Sequence, residues 1–233
     1  MTAFNLKIIA LSAMLIDHIG VAFPEAAPFW FRAIGRLAFP IFAYLLAEGF
    51  RHTRSKEKLL MRLFIFAAIS EIPYDLVMGN PINFAANTNI FYTLFLGGVA
   101  IWLYERLKTR YGWQTLAVLA AILPTVMVAE SITVDFGGFG VLLLFAMYAI
   151  IPKIPRLIVM SALVLPQFMM LALAYTLGMK LRWEYLLMIP FALVTVPLIA
   201  SYNGERGKQM KWLFYVAYPA HLAVLAVILY CFN

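Results

Sequence analysis

The chain reads as long apolar runs separated by short polar breaks, and the runs are too long for the strands or amphipathic helices of a water-soluble fold. Dividing it at charged residues and Pro/Gly breaks predicts nine helices. These are Asn5–Phe23, Arg32–Phe50, Lys58–Met78, Ile90–Leu107, Trp113–Ala129, Gly137–Ile151, Leu157–Leu177, Trp183–Ser201 and Lys211–Phe232. The sixth is short. The last three contain Pro166, Pro190 and Pro197, and Pro219, which membrane helices tolerate because neighbouring groups satisfy the freed backbone. With no internal repeat or low-complexity segment, residues 1–233 are expected to form a single domain.

Composition identifies the solvent. Of the 233 residues, 64% are hydrophobic and 12% charged, against about 45–50% and about 25% in soluble domains. The expected fold is therefore all-α, a polytopic transmembrane helix bundle with no room for a soluble domain. The first run holds Lys7 and an Asp17-His18 pair and lacks a small-residue cleavage site, so it is read as the first span rather than a signal peptide. A single cysteine, Cys231, excludes an internal disulfide, and no metal-ligand spacing is present.

Charge adds an orientation. Arg51, Arg54, Lys56, Lys58 and Arg62 follow the second span, Arg106, Lys108 and Arg110 the fourth, Lys153 and Arg156 the sixth, and Arg206, Lys208 and Lys211 the eighth. The opposite loops carry Glu25, Glu130 and Asp135, with Lys180 and Arg182 as the exception. The positive-inside rule then predicts a cytoplasmic N-terminus and an outer C-terminus. The net charge of +7 is an orientation signal dispersed over short loops, which argues against nucleic-acid binding.

Ionisable residues inside spans cost about 2.5–3.5 kcal/mol each on insertion scales and are the first functional candidates. Asp17, His18, Arg36, Glu71 and Asp75 fall at one depth, in the outer third of the first three predicted spans. Glu71 and Asp75 share a helix face at a spacing of four, with Pro73 between them. These groups predict either a polar pocket or an ion-pairing device that fixes the bundle. Asp17 and His18 diverge by about 100° on a helix, so the expected orienting partner of an inward His18 is Glu71 or Asp75. Asn89 and Tyr92 begin the fourth span, where they would cap it or roof the pocket.

A second polar set lies at the inner side: Glu48, Arg51, His52 and Arg54, with the loop Asn203-Gly-Glu-Arg206-Gly-Lys208. Short, basic and glycine-bearing, this loop suits an anionic phosphate ligand, with topogenic charge and lipid-headgroup contact as the alternative. His221, beside Pro219, falls near mid-membrane.

The blocks holding these residues resemble the TraX family, known for N-terminal acetylation of conjugative pilin. They are LKIIALSAMLIDHIG, IGRLAFPIFAYLLAEGFRHTRS, RLFIFAAISEIPYDL, NIFYTLFLG and NGERGKQMKWLFYVAYPAHL. A first-helix His followed by G-x-x-x-F-P-x-F is more distantly similar to transmembrane acyltransferases such as the lysosomal heparan-glucosaminide N-acetyltransferases. The resemblance implies a bacterial inner-membrane acetyltransferase with His18 as catalytic histidine, Gly35 to Phe42 as the wall beside it, and acetyl-coenzyme A as donor. On that expectation the coenzyme nucleotide docks at Arg51, His52, Arg54, Asn203, Arg206 and Lys208, and its arm passes His221. Asp17, Glu71, Asp75 and Arg36 assist His18, and Asn89 and Tyr92 face the acceptor. The acceptor is a pilin N-terminus, a sugar, a lipid headgroup or a small amine. Two other classes fit the same residues: a small proton-coupled secondary transporter, and a non-enzymatic pilus or envelope assembly protein.

Overall fold

The computed structural model describes residues 1–80, 82, 87–111, 114–177 and 188–232. Every regular element among them is helical: α1 (Ala3–Ala22), α2 (Trp30–Gly35), α3 (Ala38–His52), α4 (Lys56–Met78), α5 (Ile90–Tyr111), α6 (Gln114–Ser131), α7 (Gly137–Ala149), α8 (Lys153–Thr176), α9 (Met188–Ala200) and α10 (Lys211–Phe232). Five stretches are long and apolar enough to cross a membrane: Ala3–Ala22, Trp30–His52, Ile90–Lys108, Gln114–Ser131 and Trp212–Cys231. Trp183, Lys180 and Arg182, expected in the eighth span and the loop before it, lie outside the described residues.

The predicted second span lies within one apolar stretch, Trp30–His52, which a tight turn at Arg36-Leu37 divides into α2 and α3. Pro40 sits in the first turn of α3, where it has no N–H for the Arg36 carbonyl and its ring crowds that carbonyl, so the helix breaks at Arg36-Leu37. Arg32 and Arg36, four residues apart before the break, both pair with Asp17 of α1. At the start of α4, the Ser55 hydroxyl accepts from the Lys58 N–H; at its end, Gly79 takes a left-handed conformation (φ +69°) and donates to the Asp75 carbonyl.

The polarity of the bundle is that of a protein in lipid. On α4, Ile65, Ile69, Ile72 and Leu76 form an exposed stripe, while Ala67, Ser70, Glu71, Tyr74 and Asp75 are buried against the neighbouring helices. Helix α10 repeats the arrangement, with Val216, Val224 and Val227 outside and Tyr218, Leu222 and Leu225 inside. Helix α1 packs against α2, α3, α4 and α10, and α4 also contacts α5 and α10.

Glu48 organises the other end of α3. One of its oxygens accepts from Arg51 and, at 2.7 Å, from Arg156. Arg51 also donates to the carbonyls of Met147 (2.6 Å) and Tyr148 (2.5 Å), and Arg156 to those of Ile150 (2.6 Å) and Ile151 (2.5 Å). Arg51 thus caps carbonyls in the last turn of α7 and Arg156 the two that follow the helix, both held by one carboxylate. Replacing Glu48 by Ala leaves both without their anion. The expected cost is about 3–5 kcal/mol, seen as a large drop in thermal midpoint in detergent; His52→Ala, which alters an exposed side chain, leaves the midpoint near that of the wild type.

Candidate functional site

A cavity of about 480 Å³ opens among α1, α2, α3, α4 and α10, closed in part by the start of α5 and by the loops before α7 and α10. Its two ends differ in chemistry. Lys7, Arg62 and Arg206 line it at the end where α1 and α4 begin; Asp17, His18, Arg32, Arg36 and Asp135 line it at the other. From Lys7 to His18 is eleven residues of helix, about 16 Å at the usual rise. The wall between is apolar, including Leu11, Met14, Phe42, Leu45, Leu46 and Leu63.

The basic end is built by the chain start zipping onto the loop before α10. Ala3 and Phe4 donate to the carbonyls of Glu205 and Arg206, and Asn203 to that of Met1, at 2.8, 3.1 and 3.0 Å. Gly207 (φ +65°) lies against Thr2, where a Cβ would overlap the threonine side chain. Asn203 shapes the turn, its amide oxygen accepting from the Glu205 N–H at 3.1 Å and its amide nitrogen donating to the Glu205 carboxylate at 2.8 Å. The result aims Arg206 into the cavity beside Lys7, whose ammonium also lies 4.8 Å from the centre of the Phe214 ring. Arg62 Nε is buried there without a hydrogen-bond partner.

The opposite end is an ion cluster. Asp17 pairs with Arg32 at 2.8 Å and with Arg36 at 3.4 Å. Gly35 permits this approach, since a Cβ at that position would occupy the space of the Asp17 carboxylate. Asp135 arrives on the loop between α6 and α7, which is stitched to the start of α5. The Asp135 N–H donates to the Thr88 carbonyl (2.9 Å), Thr93 donates to the Asp135 carbonyl, and Asn87 N–H donates to Thr133 Oγ1 (2.7 Å). Burial pushes the Asp135 carboxyl up to about 6, against the opposing pull of Arg36. Tyr218 completes this end: its ring meets that of His18 edge-on with centroids 5.8 Å apart, and its buried hydroxyl has no hydrogen-bond partner of full geometry.

Of the residues singled out in the sequence, Asp17, His18, Arg36 and Arg206 line the cavity. Glu71 does not orient His18. Its carboxylate accepts from both the backbone and side-chain nitrogens of Asn89, the former at 3.2 Å. Asp75 is buried one turn further on, where its carbonyl accepts from Gly79 and Asn80. Asn89 caps α5 through its oxygen to the Phe91 N–H (3.0 Å) and is fully buried, so it does not roof the cavity; Tyr92 is not in the wall either. Arg51 is held in the Glu48 clamp, while His52, Arg54 and Lys208 are exposed and, like Asn203, absent from the lining. His221 leaves the cavity wall altogether and contacts His18 instead.

Arg32, Asp135, Lys7, Arg62 and Tyr218 were not singled out as site residues. Arg32 had a sequence signal, standing four residues before Arg36 and therefore on the same face. Arg62 was read only as part of the topological charge, and Lys7 only as the lysine of the first apolar run.

Comparison with known proteins gives one family. The model described as "TraX protein" matches residues 3–229. The chain is 26% identical over an alignment of 258 residues to "Probable fimbrial assembly protein FimC, serogroup H1" of Dichelobacter nodosus, covering 96% of this chain and 94% of that protein. It is also 26% identical over 133 residues to "Uncharacterized protein RP591" of Rickettsia prowazekii, covering 57% of this chain and 49% of that protein. No solved structure matches significantly.

Because the Asp17 carboxylate fills the space beside Gly35, Gly35→Ala forces it off its two arginines. A loss of about 1–3 kcal/mol in stability is expected from the overpacking, measured by thermal unfolding in detergent; Gly49→Ala, where a Cβ meets nothing within 4 Å, leaves stability within about 0.5 kcal/mol of the wild type.

Proposed function

The chain belongs to the TraX family, and on that premise we propose that it is a transmembrane acetyltransferase carrying an acetyl group from cytoplasmic acetyl-coenzyme A to an amine or hydroxyl at the outer side. The observation that supports this most is the cavity, cationic at one end, apolar along its length and furnished with a buried histidine at the other. Its chemistry matches a donor substrate with an anionic phosphate head and a long uncharged arm ending in a thioester. The buried Arg62 Nε without a partner is a further sign of a ligand that supplies an acceptor atom.

In this reading Lys7, Arg62 and Arg206 hold the phosphates, and the apolar wall excludes water from the arm. His18 removes the proton of the acceptor as its nitrogen or oxygen bonds to the acyl carbon. The carbon–sulfur bond breaks, and the proton held on His18 passes to the departing thiolate. Tyr218 is the donor best placed to stabilise the oxyanion, because Arg36 is engaged by Asp17. The same reading has nine crossings of the bacterial inner membrane and, by the positive-inside rule, a cytoplasmic N-terminus, which would set the basic end of the cavity inward. The fimbrial relative favours a pilin as acceptor.

That relative's name also favours a second reading, an assembly protein that binds a pilin without chemistry. Purified protein in nanodiscs with radiolabelled acetyl-coenzyme A and an acceptor peptide separates the two. Expected are label transfer by the wild type, a roughly 10²–10⁴-fold loss in His18→Ala, and a roughly 10²–10³-fold loss in turnover in Tyr218→Phe. Undiminished transfer by His18→Ala removes the mechanism, and a protein that neither binds the donor nor transfers label supports the assembly reading. Arg62→Gln and Arg206→Gln should raise the KM for the donor while kcat at saturation stays within about twofold, since they act on ground-state binding.

A further inference from the structure

His18 is the cavity end of a three-membered hydrogen-bonded chain. Its Nδ1 lies 2.5 Å from His221 Nε2. The two ring planes are 7° apart and the centroids 4.8 Å apart. That centroid distance equals two ring radii added to the nitrogen contact, so the imidazoles meet edge to edge in nearly one plane, as an N–H···N hydrogen bond requires. Beyond it, His221 Nδ1 stands 2.7 Å from the Ala217 carbonyl oxygen, one turn back on α10.

The direction of every bond follows from the last one. A carbonyl only accepts, so His221 Nδ1 carries a hydrogen. In the neutral ring its Nε2 then holds the lone pair and receives the N–H of His18 Nδ1. His18 is left with its free lone pair on Nε2. Because His18 lines the cavity and His221 does not, the ring edge left for the cavity is the one that bears this lone pair.

We propose that His221 is the positioning residue of the site: it fixes His18 in the tautomer whose Nε2 lone pair faces the cavity and shares the charge that appears when Nε2 is protonated. This rests on His18 being the general base. The acceptor's proton moves to His18 Nε2 as the new bond to the acyl carbon forms and the thioester C–S bond breaks. The imidazolium's Nδ1 proton is meanwhile held by His221 Nε2, and the Nε2 proton then leaves to the thiolate. The role is that of the carboxylate in a Ser-His-Asp triad, filled by a second imidazole that is itself oriented by a backbone carbonyl.

Nitrogen NMR of protein labelled only in its three histidines tests this on the wild type. Two rings in the Nδ1–H tautomer are expected, assigned by His18→Ala and His221→Gln. A His18 signal from the Nε2–H tautomer overturns the proposal. Kinetics give an independent readout. His221→Phe, which offers no acceptor, should lower kcat by about tenfold or more with the donor KM within about twofold, and His221→Gln, whose amide oxygen reaches the Nε2 position, should restore most of it. Wild-type turnover in a folded His221→Phe, or equal losses in folded Phe and Gln variants, overturns it. If His18→Ala retains activity, the assignment of His18 as general base falls whatever the tautomers; if His18→Ala is inactive and His221→Phe is not, only the role of His221 falls.

Discussion

An ionised carboxylate inside a membrane bundle needs partners of its own, and Asp17 finds them by pairing with Arg32 and Arg36 at once. Much of the candidate site follows from this pairing. It draws the short helix α2 against α1, a contact close enough that only glycine fits at position 35. It depends on the break that Pro40 imposes, because a continuous helix would carry the arginines along a different line. It also leaves His18, one residue on and turned away by about 100°, free of the arginines' carboxylate and facing α10.

The same constraint sorts the rest of the polar groups. Lipid accepts the isoleucines and leucines of α4 on its outer face, so Glu71, Tyr74 and Asp75 turn inward, where Asn89 donates twice to one Glu71 oxygen. Glu48 does at the opposite end what Asp17 does here, collecting Arg51 and Arg156 over the carbonyls at and just after the end of α7. From the Asp17 cluster to Lys7, Arg62 and Arg206 the cavity wall is mostly apolar. A long, mostly uncharged ligand arm along it would have the basic end on one side and, on the other, arginines already paired with Asp17, which ties the energetics of the bundle to the direction of transfer proposed for it.

Several of these relations were legible in the residues. The shared depth of Asp17, His18 and Arg36 pointed to a polar pocket, and the NGERG turn pointed to Arg206, because hydropathy and helix rise locate a residue along the membrane normal. Neither quantity reports rotation about the helix axis. Glu71 therefore looked like a partner of His18 at the right height, yet is taken by Asn89 at the start of α5. Arg51 looked like a phosphate ligand at the right end, yet turns to Glu48. His221 was expected along the donor path and instead stands behind His18, a relation between residues 203 positions apart that no local pattern encodes. Asp135 reaches the cavity only because its loop is stitched to Thr88 and Thr93.

The sequence alone determined that the chain is helical and lives in a membrane, where the helices run, and which few ionisable groups stand at which depth; all of these depend on composition and one-dimensional spacing. Tertiary structure decided which of those groups meet. That choice depends on the azimuth of each helix, on the break before Pro40 and on the close approach at Gly35, and these are set by packing among helices far apart in the chain. The pairing of His18 with His221, and with it the identity of the nitrogen that faces the cavity, exists only at that level.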